Sequence, residues 1–149
     1  MTAAYDPNNV FAKILRGELP CVKVYETDEV LAFMDIMPRA DGHVLVIPKA
    51  PSRNILDVAP DSLSAVMIAT QTLARAVKAA MGADGVTIQQ FNESAGGQVV
   101  FHLHVHVLPR HEGVSLRPHT GTMEKSEVLL QHAEKIRAAL SAAGVSPAA

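Results

Sequence analysis

Three of the chain's seven histidines fall within five residues. They sit in the run Phe101-His102-Leu103-His104-Val105-His106-Val107-Leu108, at strict two-residue spacing with an apolar residue in every gap. Alternation of this kind, rich in β-branched residues, predicts a β-strand with one apolar and one polar face. The imidazoles then share a face, with neighbours roughly 7 Å apart, so the central His104 has a ring on either side. Phe101, Leu103, Val105 and Val107 would point into the core. Three chemistries are open to such a row. It can be an ordinary polar face. It can hold a metal, since His-x-His on a strand places two nitrogens on one zinc ion. Or one imidazole can be a nucleophile while its neighbours hold an anionic substrate.

Several other residues can meet the histidines. The loop Glu93-Ser94-Ala95-Gly96-Gly97-Gln98 opens directly onto them. Glycines let the backbone approach a ligand, free N–H groups in such a loop form an anion-binding concavity, and Gln98 can donate to a phosphate oxygen. Asp35, closing an apolar strand, can accept from a ribose diol or cap a turn. His43 begins another apolar strand, as a supporting partner or a satisfied buried histidine. Phe11, Ile14, Phe33, Ile36 and Leu45 can wall a slot for a base or simply fill the core.

The elements that must position these groups are readable in order. Asp6, Asn8 or Asn9 can cap a short helix through Val10, Phe11, Ile14 and Leu15, with Gly17 as its stop. Val22–Glu26 and Val30–Asp35 read as a hairpin, the second strand apolar enough to be buried on both faces. His43–Pro48 is a third strand, followed by an irregular stretch to Ala59. From Pro60, the residues Leu63, Val66, Met67, Thr70, Leu73, Ala74, Val77, Ala80 and Met81 repeat at helical spacing up to Gly82, a stripe read as core packing. Val86–Asn92 is the fourth strand and the histidine run the fifth, ended by Pro109. Residues 111 to 122 look irregular, Glu124–Ala142 has the composition of a final helix, and the tail is expected to fray. The order predicts an α+β fold: a five-stranded, mostly antiparallel sheet with one long and two shorter helices.

With 149 residues, 48% hydrophobic and 19% charged, the chain fits one globular domain with a substantial core. A net charge of −2 gives no footprint for double-stranded nucleic acid, and no apolar run approaches a membrane span, which leaves small molecules as the expected partners. The first residues have neither a basic start nor an apolar core, and the one cysteine, Cys21, cannot close an internal disulfide. Both favour a reducing, cytoplasmic setting, with Cys21 as a packing residue.

The pattern His102 to Leu108 resembles the signature of the histidine-triad (HIT) superfamily of nucleotide-binding hydrolases and transferases. So do Asn92-Glu-Ser-Ala-Gly-Gly-Gln98, Leu31-Ala-Phe-Met-Asp-Ile36, His43-Val-Leu-Val-Ile-Pro-Lys49 and Val10-Phe-Ala-Lys-Ile-Leu-Arg-Gly-Glu-Leu-Pro20. The resemblance covers about residues 9 to 112, leaving a C-terminal helical segment from about 123 to 142 outside it. It implies a purine-nucleotide pocket in which His104 attacks the α-phosphate and forms a transient nucleotidyl-histidine. His106 and Gln98 would lie at phosphate oxygens, with His106 a candidate to protonate the leaving group. His102 and His43 would support the nucleophile. Asp35 would bind the ribose, and Asn92 would contribute near the ribose or phosphate. Phe11, Ile14, Phe33, Ile36 and Leu45 would sandwich the base, and Gly97 and Val99 would border the phosphate. The resemblance also implies a homodimer with sheets joined edge to edge and long helices packed across the two-fold axis. No cofactor is implied.

The departures sharpen this. Many bacterial relatives have Cys-x-x-Cys where this chain has Asn9 and Ala12, and a histidine where it has Pro51, as a structural zinc site; the expectation here is no zinc. Phosphoramidase-type members often have serine where this chain has Val99. The leading expectation is cleavage of a purine nucleoside phosphoramidate or related nucleotidyl conjugate. A dinucleoside polyphosphate hydrolase, a non-catalytic nucleotide-binding scaffold, and a metallohydrolase built on His102 and His104 are the alternatives.

Overall fold

Two hydrophobic clusters on opposite faces of one sheet organise the chain. A computed structural model describes residues 3–118 and 121–148. In chain order it contains helix α1 (Val10–Leu15), strands β1 (Lys23–Glu26), β2 (Val30–Met34) and β3 (Val44–Pro48), helix α2 (Pro60–Ala80), strand β4 (Gly85–Gln89), a single 3₁₀ turn at Ser94–Gly96, strand β5 (Val105–Arg110) and helix α3 (Ser126–Ala142). The sheet order is β1-β2-β3-β5-β4, and all four pairings are antiparallel. The expected α+β architecture, with one long and two shorter helices, is the observed one. No described helix is long and apolar enough to cross a membrane.

Strand alternation divides the apolar residues. Val30, Ala32, Met34, Val44, Val46, Val105 and Val107 face α2 and α3, where they pack with Val66, Leu73, Val77, Ile136 and Leu140. The residues between them, Leu31, Phe33, Leu45 and Ile47, face the other way and pack with Phe11 of α1. Every residue of β2 and β3 is therefore buried, which is why those strands read as unbroken apolar runs. Asn9 caps α1 through Oδ1, which accepts from the Ala12 N–H at 2.8 Å.

Three expectations are corrected. The histidine strand begins at Val105, so only His106 of the triad lies in the ladder. The segment before it runs against residues 48–54 instead, where the Leu103 N–H donates to the Ser52 carbonyl at 2.8 Å. Pro109 does not stop the strand, which continues to Arg110. The Arg110 carbonyl accepts from Asp84 on the β4 side, so the nitrogen of Pro109 lies on the β3 side, where β3 starts only at Val44 opposite Val107, and the missing N–H removes no ladder bond. Finally, Met67 belongs to the outer face of α2, not its core stripe: it is 45% exposed and Ile68 67%, while Ala69 and Ala76 are buried in their place.

Candidate functional site

The site is built where β5, the end of β3 and the N-terminus of α1 converge. His102 and His43 are fully buried, and His104 and His106 nearly so. The His104 and His106 rings stand 5.0 Å apart, centroid to centroid. Phe11 lies edge-on to His104 at 5.0 Å and to Phe33 at 5.4 Å, so α1 holds an aromatic wall against the triad.

The hydrogen-bond partners fix where each ring carries its proton, because a carbonyl only accepts and a backbone N–H only donates. His104 Nδ1 is 2.7 Å from the His102 carbonyl, so it carries the hydrogen and Nε2 keeps its lone pair. His102 Nε2 donates to the Pro48 carbonyl at 2.8 Å, and its Nδ1 therefore accepts from the Tyr5 hydroxyl at 2.6 Å. In the second chain of bonds the Arg39 N–H donates to His43 Nδ1 at 3.1 Å. That places the His43 hydrogen on Nε2, which donates to His106 Nδ1 at 2.9 Å and leaves the hydrogen of a neutral His106 on Nε2. One relay thus produces a bare nitrogen on His104, the other an N–H on His106.

Burial drives the electrostatics. Desolvation lowers the His104 pKa against the opposing pull of the His102 carbonyl and lowers that of His102 from 6.5 to about 4. Asp35 moves the other way: burial raises its carboxyl pKa, opposed by the Met37 N–H, which donates to Oδ1 at 2.8 Å. The histidine shifts carry a stability consequence. Below pH 6.5 the unfolded chain takes up protons that folded His102 refuses until about pH 4, so stability falls as pH drops through that window and is unaffected by His102 above it. Urea denaturation at pH 7 and pH 5 checks this, with the lower midpoint expected at pH 5.

The base-wall residues are brought together unevenly. Phe11, Phe33 and Leu45 form one buried cluster with Ile14 packed against it, whereas Ile36 stands 47% exposed on the loop after β2. Val99 is 82% exposed beside Gly97, whose φ of +96° is open to glycine at little cost. Gln98 and Asn92 are both bonded within the protein. Both N–H groups of the Gln98 carboxamide are used within the protein, donating to the carbonyls of Arg53 at 2.7 Å and Val100 at 3.1 Å. Its Oε1 accepts from Glu93 N and Asn54 Nδ2. Asn92 accepts from the Ile55 N–H at 2.9 Å and exchanges hydrogen bonds with Gln90. Both hold the glycine loop against residues 53–55.

That clamp was not legible in the sequence. Glu93 adopts φ +64°, ψ 163°, a region costly for any residue but glycine. It is held there by Arg53 through two bonds of 2.8 and 3.0 Å and by the fully buried Asn54 at 2.5 Å. The Arg53 guanidinium also stacks 4.2 Å from the Phe101 ring centroid. Tyr5 was missed as well, since nothing local links it to a residue 97 positions away.

Asp35, His43 and His106 are the one group among the described residues whose side chains could converge on a metal, with ligand atoms within 4.8 Å of one another. The donor set fits poorly. A neutral His43 ligating through Nε2 would need its hydrogen on Nδ1, where the Arg39 N–H already points. The positions expected to lack structural zinc ligands do other work: Asn9 caps α1, and Ala12 is buried in the core.

Three buried histidines at two-residue spacing, running into β5 with a bare nitrogen beside an N–H and an aromatic wall, define a histidine-triad protein. The chain belongs to this family, whose HIT domain model matches residues 16–113. It is 37% identical over 122 residues to adenylylsulfatase HINT3 of Arabidopsis thaliana, an alignment covering 78% of this chain but 62% of that protein. It is 46% identical over 112 residues to a HIT-like protein of Azospirillum brasilense, covering 72% of this chain and 89% of that one. Among solved structures it resembles a Hit-like protein involved in cell-cycle regulation from Bartonella henselae, at 55% identity and TM-score 0.87, over 92% of this chain and all of the other. A zinc-bound histidine triad family protein from Mycobacterium smegmatis superposes with TM-score 0.80 at 31% identity, over 92% of this chain and 96% of that one.

Proposed function

We propose that this protein is a nucleotide hydrolase that cleaves purine nucleotidyl conjugates, nucleoside phosphoramidates among them, at the α-phosphate through a covalent nucleotidyl-His104. The observation that carries the reading is the bond from His104 Nδ1 to the His102 carbonyl, which aims an unprotonated, weakly basic Nε2 out of a desolvated pocket beside the His106 N–H. His104 Nε2 attacks phosphorus and the bond to the leaving group breaks with its electron pair; the His106 N–H stabilises the charge of an oxyanion leaving group and gives its proton to an amine leaving group. Water then attacks phosphorus, its proton passing to His106 Nε2 where that nitrogen has given one up and otherwise to solvent, the N–P bond breaks, and the lone pair returns to His104 Nε2 as nucleoside monophosphate leaves. Asp35 takes the ribose hydroxyls, and the Phe11, Phe33 and Leu45 cluster takes the base. No step requires a metal ion.

A second reading, hydrolysis of a nucleotidyl anhydride such as adenylylsulfate or a diadenosine polyphosphate, is favoured by the likeness to the Arabidopsis adenylylsulfatase. Turnover of adenosine phosphoramidate, adenylylsulfate and diadenosine polyphosphate, each in the presence of a chelator, tests the proposal. Nucleoside monophosphate is the expected common product. Nucleotide bound without turnover of any of the three would make the protein a binding module and overturn the reading.

We further propose a homodimer joined through β4 and α2. Strand β4 is an edge of the sheet, and Ile88, Met67 and Ile68 are 42%, 45% and 67% exposed along that side, an apolar patch suited to burial. Light scattering should give twice the chain mass for the native protein and the single chain mass for Ile68→Asp. A monomeric native protein would contradict it.

A further inference from the structure

Across the face of the sheet that carries the triad, the side chains run from Phe33 on β2 through Leu45 on β3 and His106 on β5 to Gln89 on β4. Leu45 and Gln89 are the ladder partners of His106 on either side. Phe33, Leu45 and Asp35 lie on the β2 and β3 side of His106, and Gln89 lies on the opposite, β4 side, where a leaving group attached to the phosphate would extend if the base sits against Phe33. Arg39 is held there. Its Nη1 donates to Gln89 Oε1 at 3.2 Å, and its Nε donates to the Arg117 carbonyl at 2.8 Å. The Arg117 N–H returns a bond to the Arg39 carbonyl at 2.8 Å. Its own N–H is the one that sets the tautomer of His43 and, through it, of His106.

Among the described residues the charge of Arg39 is not matched by a carboxylate. Asp41 is taken by Arg117 at 2.5 Å, and Asp35 lies beside His43. No carboxylate among the described residues pairs with Arg39, although the side chain is half-buried. An immobilised guanidinium with no carboxylate partner among the described residues, near the proposed site of phosphoryl transfer, is arranged for an anion. The His43 and His106 relay agrees. To pass its Nε2 hydrogen on completely, His106 would need His43 to follow with its own, and the other nitrogen of His43 is already occupied by the Arg39 N–H. An amine leaving group needs that proton; an oxyanion does not.

We propose that Arg39 is the leaving-group residue of this site and that it favours nucleotidyl conjugates releasing an oxyanion, the sulfate or phosphate of a mixed anhydride, over those releasing an amine. The inference rests on the reading of His104 as nucleophile. As His104 Nε2 forms its bond to phosphorus, the bond from phosphorus to the bridging oxygen breaks and the electron pair stays on that oxygen. Arg39 and the His106 N–H meet the charge, and no proton is transferred in that step.

The test is the ratio of kcat/KM for adenylylsulfate to that for adenosine phosphoramidate, measured for the native protein, Arg39→Gln and Arg39→Lys. Loss of one charge-assisted contact predicts a fall in that ratio of at least about 10-fold in Arg39→Gln, with partial recovery in Arg39→Lys. A ratio that stays put while both activities fall together would reduce Arg39 to a structural residue and overturn the proposal. Should Arg39→Gln fail to fold, inorganic sulfate should inhibit phosphoramidate turnover by the native protein more strongly than chloride at equal ionic strength; equal inhibition would overturn it. If the native protein turns over neither substrate, the hydrolase reading fails separately. Calorimetric titration of sulfate into the AMP-saturated native protein and Arg39→Lys then decides Arg39, by weaker sulfate binding in the variant or by none in either.

Discussion

Replacing His104 with asparagine or alanine is expected to lower kcat for every nucleotidyl substrate by at least about 10³-fold, the scale of loss when a covalent nucleophile is removed. Asparagine is the more informative change. Its amide can still donate to the His102 carbonyl that now accepts from His104 Nδ1, so the loop geometry and nucleotide affinity should persist while the attacking lone pair is gone. Steady-state kinetics paired with equilibrium binding of AMP checks this. Turnover by His104→Asn within about 10-fold of the native enzyme would remove His104 from the role of nucleophile.

The second large effect falls on a residue that touches no substrate. Asn54 is fully buried. It donates to Glu93 Oε2 and Gln98 Oε1, accepts from the Leu56 N–H, and gives its backbone N–H to Asp57. Asn54→Ala removes the three side-chain bonds, leaving the Glu93 carboxylate to Arg53, the Gln98 carbonyl to the Glu93 N–H and the Leu56 N–H without the Asn54 acceptor, beside a strained backbone. A loss of roughly 3 kcal/mol in unfolding free energy is expected from urea denaturation, since buried groups stripped of partners cost more than the bonds they made. Activity should fall as well, because Glu93 and Gln98 shape the loop that opens onto His104. A loss below about 1 kcal/mol with native kinetics would show that the clamp is dispensable.

These two residues mark the boundary of what the sequence discloses. His104 was legible because strict alternation is a local signal, and the apolar residues between the histidines assign their faces. The same signal overextended the strand. Alternation from Phe101 to Leu108 describes an extended chain but not its neighbours, and residues 101–104 bond to the 48–54 segment through Leu103 N and His102 Nε2 instead of joining the ladder. The fold was readable where both faces of β2 and β3 are buried and where α2 carries a long apolar stripe. Met67 fell outside that stripe because helical spacing alone does not say where the buried arc ends.

Asn54, Arg53 and Glu93 were invisible for a different reason. Their contacts span about 40 residues, and no periodicity encodes a hydrogen bond of that length. Gln98 illustrates the mixed case. The glycine loop identifies its neighbourhood, but its carboxamide is directed by Arg53 and Val100, which the loop sequence does not specify. The tautomers of His102, His43 and His106 likewise depend on Tyr5, Pro48 and Arg39, residues whose relevance appears only once the chain is folded.

The central claim is that His104 Nε2 bonds to phosphorus. Rapid mixing of the protein with adenosine phosphoramidate or adenylylsulfate, acid-free denaturation within the first turnover, and peptide mapping by mass spectrometry test it most directly. The expected result is one adenylyl group on the peptide containing His104, decaying as AMP appears and absent from His104→Asn. Turnover with no adduct at any time, or an adduct carried by His102 or His106, would contradict it.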